Sequence, residues 1–191
     1  MTRWSPDAQR RLREVALELY AERGFDATTV ADIAARAGLT ERTFFRHFAD
    51  KREVLFTGSE ELRDAIVTAL SAAPDTVAPI DAVAIGLDAA AGYFTPAFQG
   101  QARRRNAIIS ANPVLREREL IKMATLGTAI AEALRRRGTP EPAANLLAEA
   151  GVGVFKVAFD QWVAEANTRE WSRIVQDAFA DLRELVAARP R

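Results

Sequence analysis

Residues 38–55 read Gly-Leu-Thr-Glu-Arg-Thr-Phe-Phe-Arg-His-Phe-Ala-Asp-Lys-Arg-Glu-Val-Leu. Three phenylalanines fall within five positions, among two threonines, three arginines, a lysine and the chain's single histidine. A buried helix excludes such charges, and a fully solvated helix excludes the phenylalanines. Both kinds of residue persist where one helix face is fixed to a core and the other meets a polyanion. Phe44 and Phe48 are four apart and share the inner face. Thr40, Arg42, Thr43, Phe45, Arg46 and His47 take the outer one. Guanidinium groups pair with guanine edges, phenyl rings and threonine methyls meet the thymine methyl, and the remaining polar groups reach phosphates. Lys51 and Arg52 follow at a helix start, where backbone N–H groups also attract phosphate. The chemistry is non-covalent recognition of nucleic acid. The plainer alternative is a charged surface helix in a small helical cap that touches no DNA.

Composition removes other chemistries. With one histidine and no cysteine, disulfides and thiolate metal sites are impossible, and zinc or histidine-centred catalytic sites are not expected. The 26 carboxylates are not paired with a nucleophile motif, and no glycine-rich phosphate loop occurs, so neither an enzyme nor a cofactor is expected. Net charge is zero; residues 1–52 hold 10 Lys and Arg against 8 Asp and Glu, a slight positive excess. A DNA-binding face must therefore come from the placement of charge rather than its bulk. The first residues carry no apolar signal core. The longest charge-free stretch, Ala89 to Ala102, is too short and too interrupted by Gly and Pro to cross a bilayer. A cytoplasmic location follows as the expectation.

The elements that position these residues are helical. Ala, Leu, Glu and Arg dominate, apolar residues recur at three and four, and no strand pattern appears, which predicts an all-α fold of about nine helices. Ser5-Pro6 opens the first helix, lined by Leu12, Val15, Ala16 and Leu19 and ended by Gly24. Thr29 to Asp32 is a capping box opening a short helix. Gly38 breaks it, Thr40 caps the next, and Asp50 to Glu53 opens a fourth helix expected to reach Ala73. Helix 28–37, the turn at Gly38 and helix 40–48 make a helix-turn-helix by spacing. Asn112-Pro113 and Thr139-Pro140 open two long helices, and Asn167 or Thr168 the last, to about Ala188. Pro74 to Pro79 reads as a seam between an N-terminal and a larger C-terminal unit, and the terminal Arg-Pro-Arg as a fraying end.

The stretch TTVADIAARAGLTERTFFRHFADKREVL resembles the DNA-binding head of the TetR (tetracycline-repressor type) family, over about residues 8–56 without a gap. The resemblance implies a nine-helix fold, a homodimer and a ligand-responsive transcription factor, most often a repressor. It divides the chain into a DNA-binding domain over 1–52 and an effector-binding and dimerisation domain over 53–191. Thr29, His47 and Lys51 fall where the family contacts backbone phosphates. Thr40, Arg42, Thr43 and Phe45 fall where it meets the major groove. Phe45 departs from the usual tyrosine, so it can touch a thymine methyl but cannot donate a hydroxyl to phosphate.

In the C-terminal part, Leu146, Leu147, Ala150, Gly151, Val154, Val157 and Ala158 form one stripe. Trp171, Ile174, Val175, Phe179, Leu182 and Leu185 form another. In the family such a pair builds a four-helix interface with the twofold mate; the alternative is core within the chain. Tyr93, Phe94, Phe98, Met123, Phe155, Phe159 and Trp162 either line an apolar effector cavity or are plain core. Arg103, Arg104 and Arg105 are either a solvated helix start or a clamp for an effector's phosphate or carboxylate. The stretch RRRNAIISANPVLRERELIKMATLGTAIAEALRRRG resembles the C-terminal domain of mycofactocin-type regulators, a TetR subgroup, which implies a long-chain acyl-CoA effector. The expected effector set is Phe94, Phe98, Arg103, Arg104, Met123, Phe155, Phe159 and Trp162. The competing reading is a small-molecule-binding protein with little specific DNA binding.

Overall fold

The computed structural model describes residues 6–187, and Ser5 and the terminal Arg-Pro-Arg lie outside them. The described residues form ten α-helices, one 3-10 turn and no strand. They are α1 (Pro6–Arg23), α2 (Val30–Arg36), α3 (Glu41–His47), α4 (Glu53–Phe56), α5 (Ser59–Ala72), α6 (Pro79–Asp88), the turn Ala89–Gly92, α7 (Pro96–Ala111), α8 (Pro113–Arg136), α9 (Ala143–Val163) and α10 (Trp171–Ala187). The all-α expectation holds. The helix expected over 53–73 is interrupted: α4 stops at Phe56, and Gly58 takes a left-handed φ of 86° before α5 begins. Counting α4 and α5 as its two halves gives the expected nine.

Packing divides the chain into two compact units. One takes in the chain up to Gly58 together with Arg104–Arg118; the other takes in Ser59–Arg103 and the chain from Glu119 onward. These units do not coincide with a single boundary after residue 52, because the end of α7 and the start of α8 pack with the first unit. Pro74 to Pro79, expected as a seam, joins α5 to α6 inside the second.

The first unit closes on Leu12, Leu19, Ile33, Phe44, Phe48 and Val54, the packing expected from the spacing of their helices, with Ile108, Ile109 and Leu115 added from α7 and α8. Asn112 sits buried at the α7–α8 corner. Its side-chain carbonyl accepts the N–H groups of Val114 and Leu115 at 3.1 and 3.3 Å, and its amide donates to Asp26 at 3.2 Å. Polar groups taken out of water need such partners, so this one residue caps α8 and ties the corner to the loop after α1. Arg118 adds an ion pair to Glu53 at 2.6 Å.

The second unit packs α5, α6, α9 and α10 around Leu70, Val83, Leu87, Ile130, Phe155 and Trp162. Gly86 lets α6 lie close to α5, since a Cβ there would stand 2.9 Å from the Ile66 carbonyl oxygen. Most of the two stripes expected at a dimer interface lie in this core: Gly151, Val154, Ala158, Trp171, Ile174, Val175 and Phe179 are buried within the chain. Leu146, Val157 and Leu185 remain exposed, and Leu147, Ala150 and Leu182 are half-buried. Gly153, also exposed on α9, has open space around it.

Candidate functional site

The helix-turn-helix is built from local signals. Thr29 caps α2: its hydroxyl accepts the Asp32 N–H, and the Asp32 carboxylate accepts the Thr29 N–H at 2.9 Å and its hydroxyl at 2.6 Å. Those two bonds hold the Asp32 carboxyl below its usual range, the hydroxyl bond contributing most. Gly38, at φ 66°, turns the chain left-handed, and the Leu39 N–H reaches back to the Ala34 carbonyl at 2.9 Å. Thr40 then caps α3, accepting the Thr43 N–H at 3.2 Å, with the two threonine hydroxyls 3.0 Å apart.

The two faces of α3 are those expected. Phe44 and Phe48 are buried, their ring centroids 5.3 Å apart. Phe45 is 55% exposed and stands edge-on to Phe44 at 5.6 Å. Arg42 and Arg46 are exposed, and neither makes an ion pair or hydrogen bond among the described residues. Three other cations of this unit are neutralised locally, Arg10 by Asp7 and Glu14, Arg36 by Glu22 and Arg52 by Asp50, whereas Arg23, Arg104 and Arg116 are exposed without an ion pair among the described residues. The outer face of α3 is therefore a small region of unpaired positive charge with an exposed aromatic ring, in a chain of zero net charge. His47 is half-buried, and its Nε2 is sealed from solvent without a partner. Burial chiefly, and then the Arg46 charge, lower its pKa, so the ring is neutral near pH 7.

Lys51 is placed differently from the α3 cations. Its ammonium donates to the carbonyls of Phe25 (2.8 Å), Thr28 (2.9 Å) and Asp26 (3.4 Å).

In the second unit, a cleft of about 430 Å³ is lined by residues that include Phe94, Gln99, Trp162, Asn167, Thr168 and Trp171. Phe94 stacks on Trp171 at 3.9 Å and meets Phe155, Phe159 and Trp162 edge-on. Of the expected effector residues, Phe94 and Trp162 line this cleft. Phe155 and Phe159 stand behind Phe94, Met123 packs half-buried on the core, and Phe98 is exposed outside the lining. Arg103 donates to the carbonyls of Val163, Ala164 and Glu165 and so caps the end of α9; Arg104 is exposed in the first unit. The cleft also brings in Gln99, Asn167 and Trp171, which the sequence did not single out for it. Gln99 donates to the Trp162 carbonyl at 2.7 Å, and Trp171 spends its indole N–H on the Leu87 carbonyl at 2.8 Å.

Residues 12–57 match the family described as bacterial regulatory proteins, tetR family, and residues 77–187 match the MftR C-terminal domain. The HTH-type transcriptional regulator TcmR of Streptomyces glaucescens is 39% identical over 82 residues, 39% of this chain and 36% of its own. MftR of Mycobacterium tuberculosis H37Rv is 44% identical over 43 residues, 22% of each chain. The matches thus span about a third or less of these curated relatives. Two solved structures share the fold along nearly the whole chain. FadR of Thermus thermophilus, a TetR-family repressor in complex with lauroyl-CoA, is 22% identical with a TM-score of 0.54, covering 96% of this chain and 97% of its own. The fatty acid degradation regulator FadR of Bacillus halodurans is 18% identical with a TM-score of 0.62, covering 98% and 100%.

Proposed function

Because this chain belongs to the TetR family of bacterial regulatory proteins, with a C-terminal part of the MftR type, we propose that it is a ligand-released repressor. It is a helix-turn-helix transcriptional regulator. Beyond that, our reading is of a cytoplasmic homodimer that holds operator DNA through Thr29, Thr40, Arg42, Thr43, Phe45, Arg46 and His47. The observation that carries the reading is the outer face of α3, where Arg42 and Arg46 stand exposed beside Phe45 with no ion pair among the described residues, while Arg36 and Arg52 on either side are paired. Buried Phe44 and Phe48 fix that face to the core, so it is presented rigidly. Residues 1–52 carry the DNA contacts and residues 53–191 the effector and dimer functions, with the end of α7 and the start of α8 bracing the head.

The cleft walled by Phe94, Trp162 and Trp171 is the effector site. Its size lies within the range of small-molecule pockets, and its aromatic walls suit an apolar group. Long-chain acyl-CoA is the candidate carried from the MftR-type resemblance. Its chain suits the aromatic wall, but an Arg103 clamp on its phosphates would have to break the bonds to the α9 carbonyls. Effector binding costs DNA affinity through a coupling of about 1–3 kcal/mol.

The test is selection of bound duplexes from a random-sequence pool, followed by addition of palmitoyl-CoA or free palmitate. The reading predicts two inverted half-sites spaced by whole helical turns, released by the CoA ester more readily than by the acid. Recovery of no common sequence contradicts the regulator. Equal release by ester and acid contradicts the arginine clamp alone.

A further inference from the structure

Lys51 stands in the turn before α4, yet all its donors are committed. An ammonium group has three N–H donors. Three carbonyls of the loop after α1 converge on it, those of Phe25, Asp26 and Thr28. The same ammonium lies over the Phe25 ring, 4.4 Å from its centroid. The contact is reciprocal: the buried Tyr20 hydroxyl donates to the Lys51 carbonyl at 2.6 Å, and the Tyr20 ring packs edge-on against Phe25 at 5.2 Å. Thr28, fully buried, secures the loop's other side by donating to the Gly24 carbonyl at 2.8 Å. This loop ends at Thr29, which caps α2, and α2 sets the start of α3.

A Lys51 ammonium that turned to a DNA phosphate would give up these bonds and leave part-buried carbonyls without donors, which is costly. It would also leave the Phe25 ring face. We propose that Lys51 is a positioning residue for DNA binding, locking the α1–α2 loop and so the start of α2, and that it makes no phosphate contact. The proposal rests on the head being a DNA-binding unit, and it assigns Lys51 to the scaffold of that unit.

The decisive variant is Lys51→Met, which keeps the aliphatic stem and removes the donors. A lost phosphate contact shallows the dependence of log affinity on log salt by about 0.9 per contact. The proposal expects the same salt slope as wild type, a uniform affinity loss on every duplex, a melting temperature lower by about 2–4 °C, and faster amide exchange at Thr28 and Thr29 in the free protein. A shallower slope with unchanged melting and exchange overturns it. Lys51→Arg separates the two roles again, because it keeps the charge but its planar fork does not match three carbonyls around one point. Wild-type stability and affinity in Lys51→Arg overturn the clasp; partial unfolding in both variants, with the salt slope of the remaining binding unchanged, supports it. If the wild type binds no DNA, the DNA-binding reading fails by itself, while melting and exchange still decide whether Lys51 holds the loop.

Discussion

At the scale of single residues, DNA recognition by this chain depends on which cations are already engaged within the protein. Arg42 has no ion pair or hydrogen bond among the described residues, and a guanidinium paired bidentately with guanine contributes about 1–3 kcal/mol of discrimination. Arg42→Ala should therefore lower specific affinity about 5- to 150-fold while changing binding to scrambled duplex far less; competition titrations measure the two directly, and equal losses would contradict base reading. His47 makes the second prediction. Its pKa lies below the ordinary imidazole range, so the free protein at neutral pH holds it uncharged. A DNA phosphate favours the imidazolium, so binding takes up a proton and tightens as pH falls from about 7.5 to about 6. His47→Gln should flatten that dependence in anisotropy titrations. For folding the sign is opposite: the stability that the neutral ring contributes is lost as pH falls below the unfolded imidazole's range. The outer face of α3 was legible in the sequence because helical periodicity alone separates Phe44 and Phe48 from Arg42, Phe45 and Arg46. The settings of Lys51 and Arg103 were not. Both donate to main-chain carbonyls, which every residue carries, so nothing in the side-chain pattern marks the acceptor.

At the scale of elements, the capping residues wrote most of the boundaries. Thr29 and Thr40 start α2 and α3 where expected, and Asn112 starts α8. The missed break between α4 and α5 has a local cause: the apolar residues on either side, Val54 and Leu55 then Leu62 and Ile66, keep helical spacing, while Thr57 leaves the helical region at ψ 133° and Gly58 turns left-handed. An alanine there meets no neighbouring atom but must adopt a disfavoured backbone. Gly58→Ala should cost about 1–2 kcal/mol, visible as a lower urea midpoint with an unchanged slope. Gly86 fails for a different reason, because its missing Cβ would press on the backbone of α5. Gly86→Ala should cost about 1–3 kcal/mol in the same assay. A stabilised Gly86→Ala protein would contradict the close α5–α6 approach. The Pro74–Pro79 seam was misread because prolines mark a turn between any two helices, whether or not a core changes there.

At the scale of the whole molecule, an all-α chain was readable from composition and period, whereas the bracing of the head by Ile108, Ile109 and Leu115 was not, since it joins residues far apart in sequence. The exposed apolar positions Leu146 and Val157 on α9, with Gly153 open to close approach, suit a twofold helix pairing. Leu146→Glu combined with Val157→Glu should shift the protein from dimer to monomer in sedimentation velocity and weaken operator binding more than half-site binding. The central claim, specific operator recognition by the face of α3, is tested most directly by fluorescence anisotropy. Purified protein would be titrated onto duplex from immediately upstream of its own gene and onto a scrambled duplex at one fixed salt. The account predicts affinity for the upstream duplex about 10³-fold or more above the scrambled one. Equal affinity for the two duplexes would contradict it.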